Sequence, residues 1–122
     1  MDRREVGRRA EESAARFLER RGFEILGRNV RLQRGELDLV ARSGGRLWFV
    51  EIKCRRRDDV GPPHRAIDAR KRSALFAAAR EYVVRTNHRG DWGFLAASVI
   101  ARPHEREPTI TLLRLPIGPP AR

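Results

Sequence analysis

Along the first twenty residues, apolar positions recur at helical spacing. Val6, Ala10, Ala14, Phe17 and Leu18 form one stripe over about Arg3 to Arg21, and Gly22 follows as a stop. On the wheel Glu11 falls beside Ala14 and Leu18 at the edge of that stripe, while Glu5, Glu12 and Glu19 turn towards solvent. Glu11 is the acid of this helix placed to reach inward, although spacing alone favours an ordinary boundary glutamate. The pattern then changes to strand: Phe23 to Leu32, a turn at Gln33-Arg34-Gly35, and two β-rich runs, Glu36 to Ala41 and Leu47 to Cys54, around Ser43-Gly44-Gly45-Arg46. A Gly-Gly centre is a strong hairpin signal. With it as the turn, Val40 faces Phe49, Asp38 faces Glu51 and Glu36 faces Lys53.

Alternation with period 2 puts Glu36, Asp38 and Val40 on one face with Phe49, Glu51 and Lys53. The other face carries Leu37, Leu39, Ala41, Trp48, Val50, Ile52 and Cys54 without a charge, so it must be buried against helices. A charged loop with a basic root, Arg55-Arg56-Arg57, leads through Pro62-Pro63 to a long helix from about His64 to Arg85. Its stripe is Ile67, Ala74, Leu75, Ala78 and Tyr82, and Lys71 projects into the middle of it. Such a lysine either snorkels to the helix edge or points into a polar pocket beside the core. Trp92 to Ala101 and Thr109 to Leu115 read as two further strands. One domain over residues 1–116 with a loose tail at 117–122 accounts for the chain, since 122 residues is the usual allotment for a single core.

Composition adds a partner class. The 27 Lys and Arg against 16 Asp and Glu give a net charge of +11, which suits a polyanion, and the 40% hydrophobic content in periodic segments makes this a folded basic protein. A charged start and the lack of a membrane-length apolar run point to a cytoplasmic protein with no membrane partner. One cysteine, Cys54, excludes an internal disulfide, and His64, His88 and His104 lack metal-ligand spacing and read as surface residues. Neither a Walker loop nor a dinucleotide fingerprint is present, which leaves nucleotide cofactors without a seat.

The chemistry lies in the hairpin. Two carboxylates opposed on one sheet face repel, and a hard divalent cation compensates them, because Mg²⁺ takes one or two carboxylates and keeps waters in its other positions. Asp38 and Glu51 fit as its ligands, and Lys53 is placed to hold the attacking water or to neutralise developing charge. Of the 27 basic residues only Lys53 and Lys71 are lysine, so positive charge alone does not explain them. A bland alternative makes Glu36 and Lys53 a cross-strand salt bridge with the two acids merely solvated. It leaves the facing of the acids unexplained.

Asp38, Glu51-Ile52-Lys53 thirteen residues on, and the upstream Glu11 resemble the PD-(D/E)XK nuclease motif as arranged in archaeal Holliday junction resolvases. The chain is more similar still to the YraN-like bacterial family of predicted endonucleases, from Gly7 to about Leu95. That likeness runs through Ala10-Glu11-Glu12, Arg28-Asn29, Gly35 to Val40, Phe49 to Lys53, and Ala66-Ile67 followed by Lys71. It implies an α/β fold with a restriction-endonuclease-like core, a mixed β-sheet flanked by helices. It further implies Asp38 and Glu51 on the metal, the Ile52 carbonyl as a third ligand, and support from Glu11 through water. Ala10 stands where the family usually has Gly, a change that a helix interior favours. Gly93-Phe94-Leu95 replaces a frequent Arg-Phe-Asp.

The sequence-based expectation is therefore a Mg²⁺- or Mn²⁺-dependent endonuclease with Glu11, Asp38, Glu51 and Lys53 at its site and Glu36 supporting them. Arg55, Arg56, Arg57, the first helix and Lys71 would bind phosphate. DNA stands ahead of RNA as partner, and symmetric cutting of a junction would call for a homodimer. The alternatives are a non-catalytic nucleic-acid-binding protein of the same fold and a subunit active only in a complex.

Overall fold

The computed structural model describes residues 3–55, 67–102 and 104–118. The element order is α1 (Arg3–Arg20), β1 (Glu24–Leu32), β2 (Gly35–Ser43), β3 (Arg46–Arg55), α2 (Ala69–Arg85), β4 (Trp92–Ile100) and β5 (Thr109–Leu115). The five strands form one sheet in sequence order. β1, β2 and β3 make an antiparallel meander, β4 runs parallel to β3, and β5 closes the sheet antiparallel to β4. A parallel step requires a crossover, and α2 lies within it. The result is a mixed α/β sheet flanked by two helices, consistent with a restriction-endonuclease-like core.

Each helix buries one sheet face. α1 sets Ala10, Ala14, Ala15 and Leu18 against Leu39, Val50, Leu95 and Ala97. α2 sets Leu75, Ala78 and Ala79 against Val40, Phe49, Phe94 and Ala96. Three alanines on α1 leave no bulk between helix and strands, which lets the helix lie close to the sheet and carries Glu11 down with it. The expected stripe holds at Ala10, Ala14 and Leu18; Val6 is 43% exposed, and Phe17, half-buried, lies under the Arg21 guanidinium instead of in the core. α2 begins later than expected. Ile67 is buried ahead of the helix, and Asp68 is its N-cap, extended in backbone and accepting the Lys71 amide at 2.8 Å. Residues 64–66, where the spacing placed the helix start, lie outside the described residues.

The hairpin register follows the prediction from Ser43↔Arg46 through Val40↔Phe49 to Leu39↔Val50, turned by Gly44 and Gly45 at φ 59° and 76°. It then stops. Asp38 and Glu51 are not a ladder pair, and Glu36 faces Arg31 of β1 instead of Lys53. The cause is local: the Asp38 side chain accepts the Ile52 amide at 2.9 Å, taking a donor that a regular ladder would give to a backbone carbonyl. β2 and β3 splay beyond this point. Leu37 changes sides with the splay, joining the α2-side core although alternation would place it with Leu39. The face expected to be polar is also mostly buried, since Val40 and Phe49 lie under α2.

Candidate functional site

The site is built at this fork. Its floor is the end of the β2–β3 ladder, where Asp38 is tied to the Ile52 amide. In a strand the N–H and C=O of one residue leave on the same edge, so the Ile52 carbonyl faces the fork as well. Glu51, 7% exposed, points to the α2 side, beside the buried Ser98 and Ala96 of β4. It lines a narrow crevice with Asp38 under Leu37 and Leu75.

Two acids held together in such a place cannot both be comfortable as anions. The Glu51 carboxyl is pushed up from 4.5 to about 7, first by burial and next by the charge of Asp38, against the attraction of Lys71. That attraction comes from the first turn of α2, where the Lys71 ammonium lies 3.3 Å from Glu51 Oε1 while staying 46% exposed. Asp68 fixes this turn, so the cap of α2 also sets where the Lys71 stem begins. Lys71 thus does both things its position allowed: it snorkels along the helix edge, and its head meets a buried acid.

From the other face α1 brings Glu11, whose Oε2 accepts the Asn29 carboxamide at 2.9 Å. Cys54 feels charge from both sides of the sheet. Its residue is exposed overall, yet shielding of the thiol pushes it up, the charges of Asp38 and Glu11 push it further, and Lys53 opposes them. One sulfur thus feels Asp38, Glu11 and Lys53 together. Lys53 sits in register with Ser98 two residues beyond Glu51, on the same side of β3 by alternation.

Of the predicted site residues, Asp38, Glu51, Ile52 and Lys71 meet at the fork and Lys53 follows Glu51 on the same side of β3, while Glu11 lies on the α1 face against Asn29. Glu36 does not; it is exposed and faces β1. Lys71 is engaged with Glu51, which turns its ammonium to the acid instead of leaving it for phosphate. Arg55 ends β3 half-buried, and Arg56 and Arg57 lie outside the described residues. Sequence reasoning missed Asn29 as a partner of Glu11; its signal was a residue that tolerates left-handed backbone in the middle of a strand pattern.

Among the described residues no three His, Cys, Asp or Glu side chains group to hold an ion by themselves. The donors at the fork are two carboxylates and a carbonyl edge. That set fits Mg²⁺ or Mn²⁺, which accept one or two carboxylates and complete the shell with water, and does not fit a closed structural metal. The raised Glu51 agrees, since a nearby cation would relieve the strain between the two acids.

The model of the family described as "Uncharacterised protein family UPF0102" matches residues 10–101, a stretch that contains every residue of the fork. A UPF0102 protein of Solibacter usitatus is 42% identical over 110 residues, covering 88% of this chain and 82% of its own. One of Symbiobacterium thermophilum is 45% identical over 82 residues, 67% of this chain and 70% of its own. A third, of Caldicellulosiruptor saccharolyticus, is 42% identical over 85 residues, 70% and 72% respectively.

Proposed function

We propose that this chain, which belongs to the uncharacterised protein family UPF0102, is a metal-dependent endonuclease that hydrolyses phosphodiester bonds of DNA at the β2–β3 fork. The observation that carries this reading is the Asp38–Glu51 pair: a nearly buried glutamate and a second acid held beside each other where the sheet opens. A protein that only bound nucleic acid would have no use for such a pair, because two acids repel phosphate.

Bound Mg²⁺ or Mn²⁺ would supply charge for the scissile phosphate and lower the pKa of a water. Asp38 and Glu51 would hold it, with the Ile52 carbonyl edge beside them. Asp38 is already oriented by the Ile52 amide, so little ordering remains to be done on binding. Lys53, on the flexible stem that an ammonium requires, would stand next to the phosphate and stabilise negative charge as the bond breaks. Glu11, on the α1 side, would accept a hydrogen bond from water at the site. The net charge of +11 would bring the polyanion to this acidic notch, and Arg55, Arg56 and Arg57 would take phosphates.

Labelled duplex, single-stranded and branched DNA, with matching RNA, incubated with Mg²⁺, Mn²⁺ or chelator, test the proposal, with Glu51→Gln purified in parallel. Metal-dependent cleavage by the wild type alone is expected. Cleavage at the same rate by the variant would end the nuclease reading.

A further inference from the structure

Asn29 has the backbone of a turn in the middle of a strand. Its φ is 48°, while its neighbours pair regularly with β2, Arg28 with Leu39 and Val30 with Leu37. Asn29 therefore stands across from Asp38, at the level where the β2–β3 ladder ends. Left-handed backbone in a non-glycine residue is costly and persists where the surroundings over-determine it.

The side chains show what the distortion achieves. Successive residues of a regular strand point to opposite faces, yet Arg28 and Asn29 both reach the same helix. Arg28 Nη1 donates to Glu12 Oε2 at 2.6 Å, and Asn29 Nδ2 donates to Glu11 Oε2 at 2.9 Å. The left-handed backbone at Asn29 breaks the alternation where two adjacent strand residues hold two adjacent helix acids. The residue type is also fixed by this task. Gly adopts the conformation but has no donor, and Asp adopts it but would set a carboxylate against Glu11; Asn supplies both the conformation and a neutral N–H.

We propose that Asn29 is a positioning residue that holds the Glu11 carboxylate towards the fork, using its left-handed backbone to aim a carboxamide at α1. Glu12 is held by a charged partner, whereas Glu11 is held by a neutral one, which keeps its negative charge for the site. The catalytic meaning of this latch rests on the nuclease reading; the latch itself does not.

Two measurements separate the two claims. In chelator, Asn29→Asp should lower the melting temperature through repulsion of Glu11, and Asn29→Asp with Glu11→Gln should recover it, since donor and acceptor exchange roles. Additive losses in that pair would overturn the latch. Asn29→Gly keeps the backbone and deletes only the amide. It should melt close to the wild type, yet raise the Mn²⁺ concentration for half-maximal cleavage about tenfold, the usual loss when a partner orienting a metal-site group is removed. Its KM for nucleic acid should not change, and adding Glu11→Gln should give no more loss than Glu11→Gln alone. Asn29→Gly with a wild-type Mn²⁺ curve, beside an impaired Glu11→Gln, would overturn the positioning role and leave the nuclease reading standing. A wild type inert to both Mn²⁺ and nucleic acid would remove the nuclease reading and the positioning role with it, while the chelator melts would still decide the latch.

Discussion

Replacing Glu51 by Gln should stabilise the metal-free protein, and the gain should grow with pH. Glu51 titrates near 4.5 when unfolded and at about 7 when folded. Below the lower value both states hold the proton and nothing is lost. Between the two values the folded state holds it and the unfolded state does not, so the folded state binds more protons and stability falls as pH rises. Above about 7 both states are ionised and the full cost is present. At about 1.4 kcal/mol per unit, a shift from 4.5 to about 7 is worth roughly 3 kcal/mol. Glu51 itself is 7% exposed, so solvent screens little of this, and the value of about 7 already includes the pull of Lys71. Glu51→Gln should therefore match the wild type near pH 4.5 and exceed it by about 2 to 3 kcal/mol at pH 8. Urea denaturation of both proteins in chelator across this range measures the difference, in which the response of acids remote from Glu51 cancels. A constant difference from pH 5 to 8 would refute the argument, because a solvated glutamate gives no such slope.

In single-turnover assays with Mg²⁺, Asp38→Asn, Glu51→Gln and Lys53→Ala are each expected to lower cleavage by at least ~100-fold with nucleic-acid binding retained, since the three act on metal, water and developing charge while the basic surface supplies most of the docking; loss of binding in a gel-shift titration would reassign them. Replacing Arg55, Arg56 and Arg57 together by Ala should weaken binding to all sequences alike and flatten log K against log salt by about two to three units, as each lost phosphate contact releases one counterion fewer. An unchanged slope would take these arginines off the phosphate backbone. Lys71→Met removes the one attraction that opposes the upward shift of Glu51, so the stability difference against Lys71→Met/Glu51→Gln should begin at the same pH as in the wild-type background, where unfolded Glu51 ionises, but level off at a higher pH and a larger value. The same urea series checks it, and a midpoint moved downward would contradict the ion pair.

The hairpin register was legible because two independent features agree on it: a Gly-Gly turn fixes the pairing from one end, and a one-residue slip would reverse every side chain. Both arguments assume a regular backbone. They fail at Asp38 and Asn29, where a carboxylate replaces a carbonyl and φ is positive, so the expected facing of Glu36 and Lys53 is not formed. Asp38 and Glu51 still meet, because β2 and β3 separate only after Leu39 and Val50 have paired. The start of α2 was misread for a different reason. Ile67 fits the apolar spacing of the helix but is buried ahead of it, and Asp68 caps the helix one residue later.

Why the site lies at an irregularity follows from what a regular sheet cannot offer. A complete β2–β3 ladder would consume the Ile52 amide and carbonyl and bring the Asp38 and Glu51 backbones to fixed separation, leaving no donor edge and no space between the strands. Ending the ladder at Leu39 and Val50 frees that edge. The lost pairing is supported from both sides by helix packing that does not depend on it, α1 through its alanines and α2 through Leu75 and Ala78. The two lysines complete the logic of the place. A guanidinium at position 71 would grip Glu51 with paired hydrogen bonds. The ammonium lies 3.3 Å from Glu51 Oε1 and half in water, a contact that a cation of higher charge would displace under the proposed function.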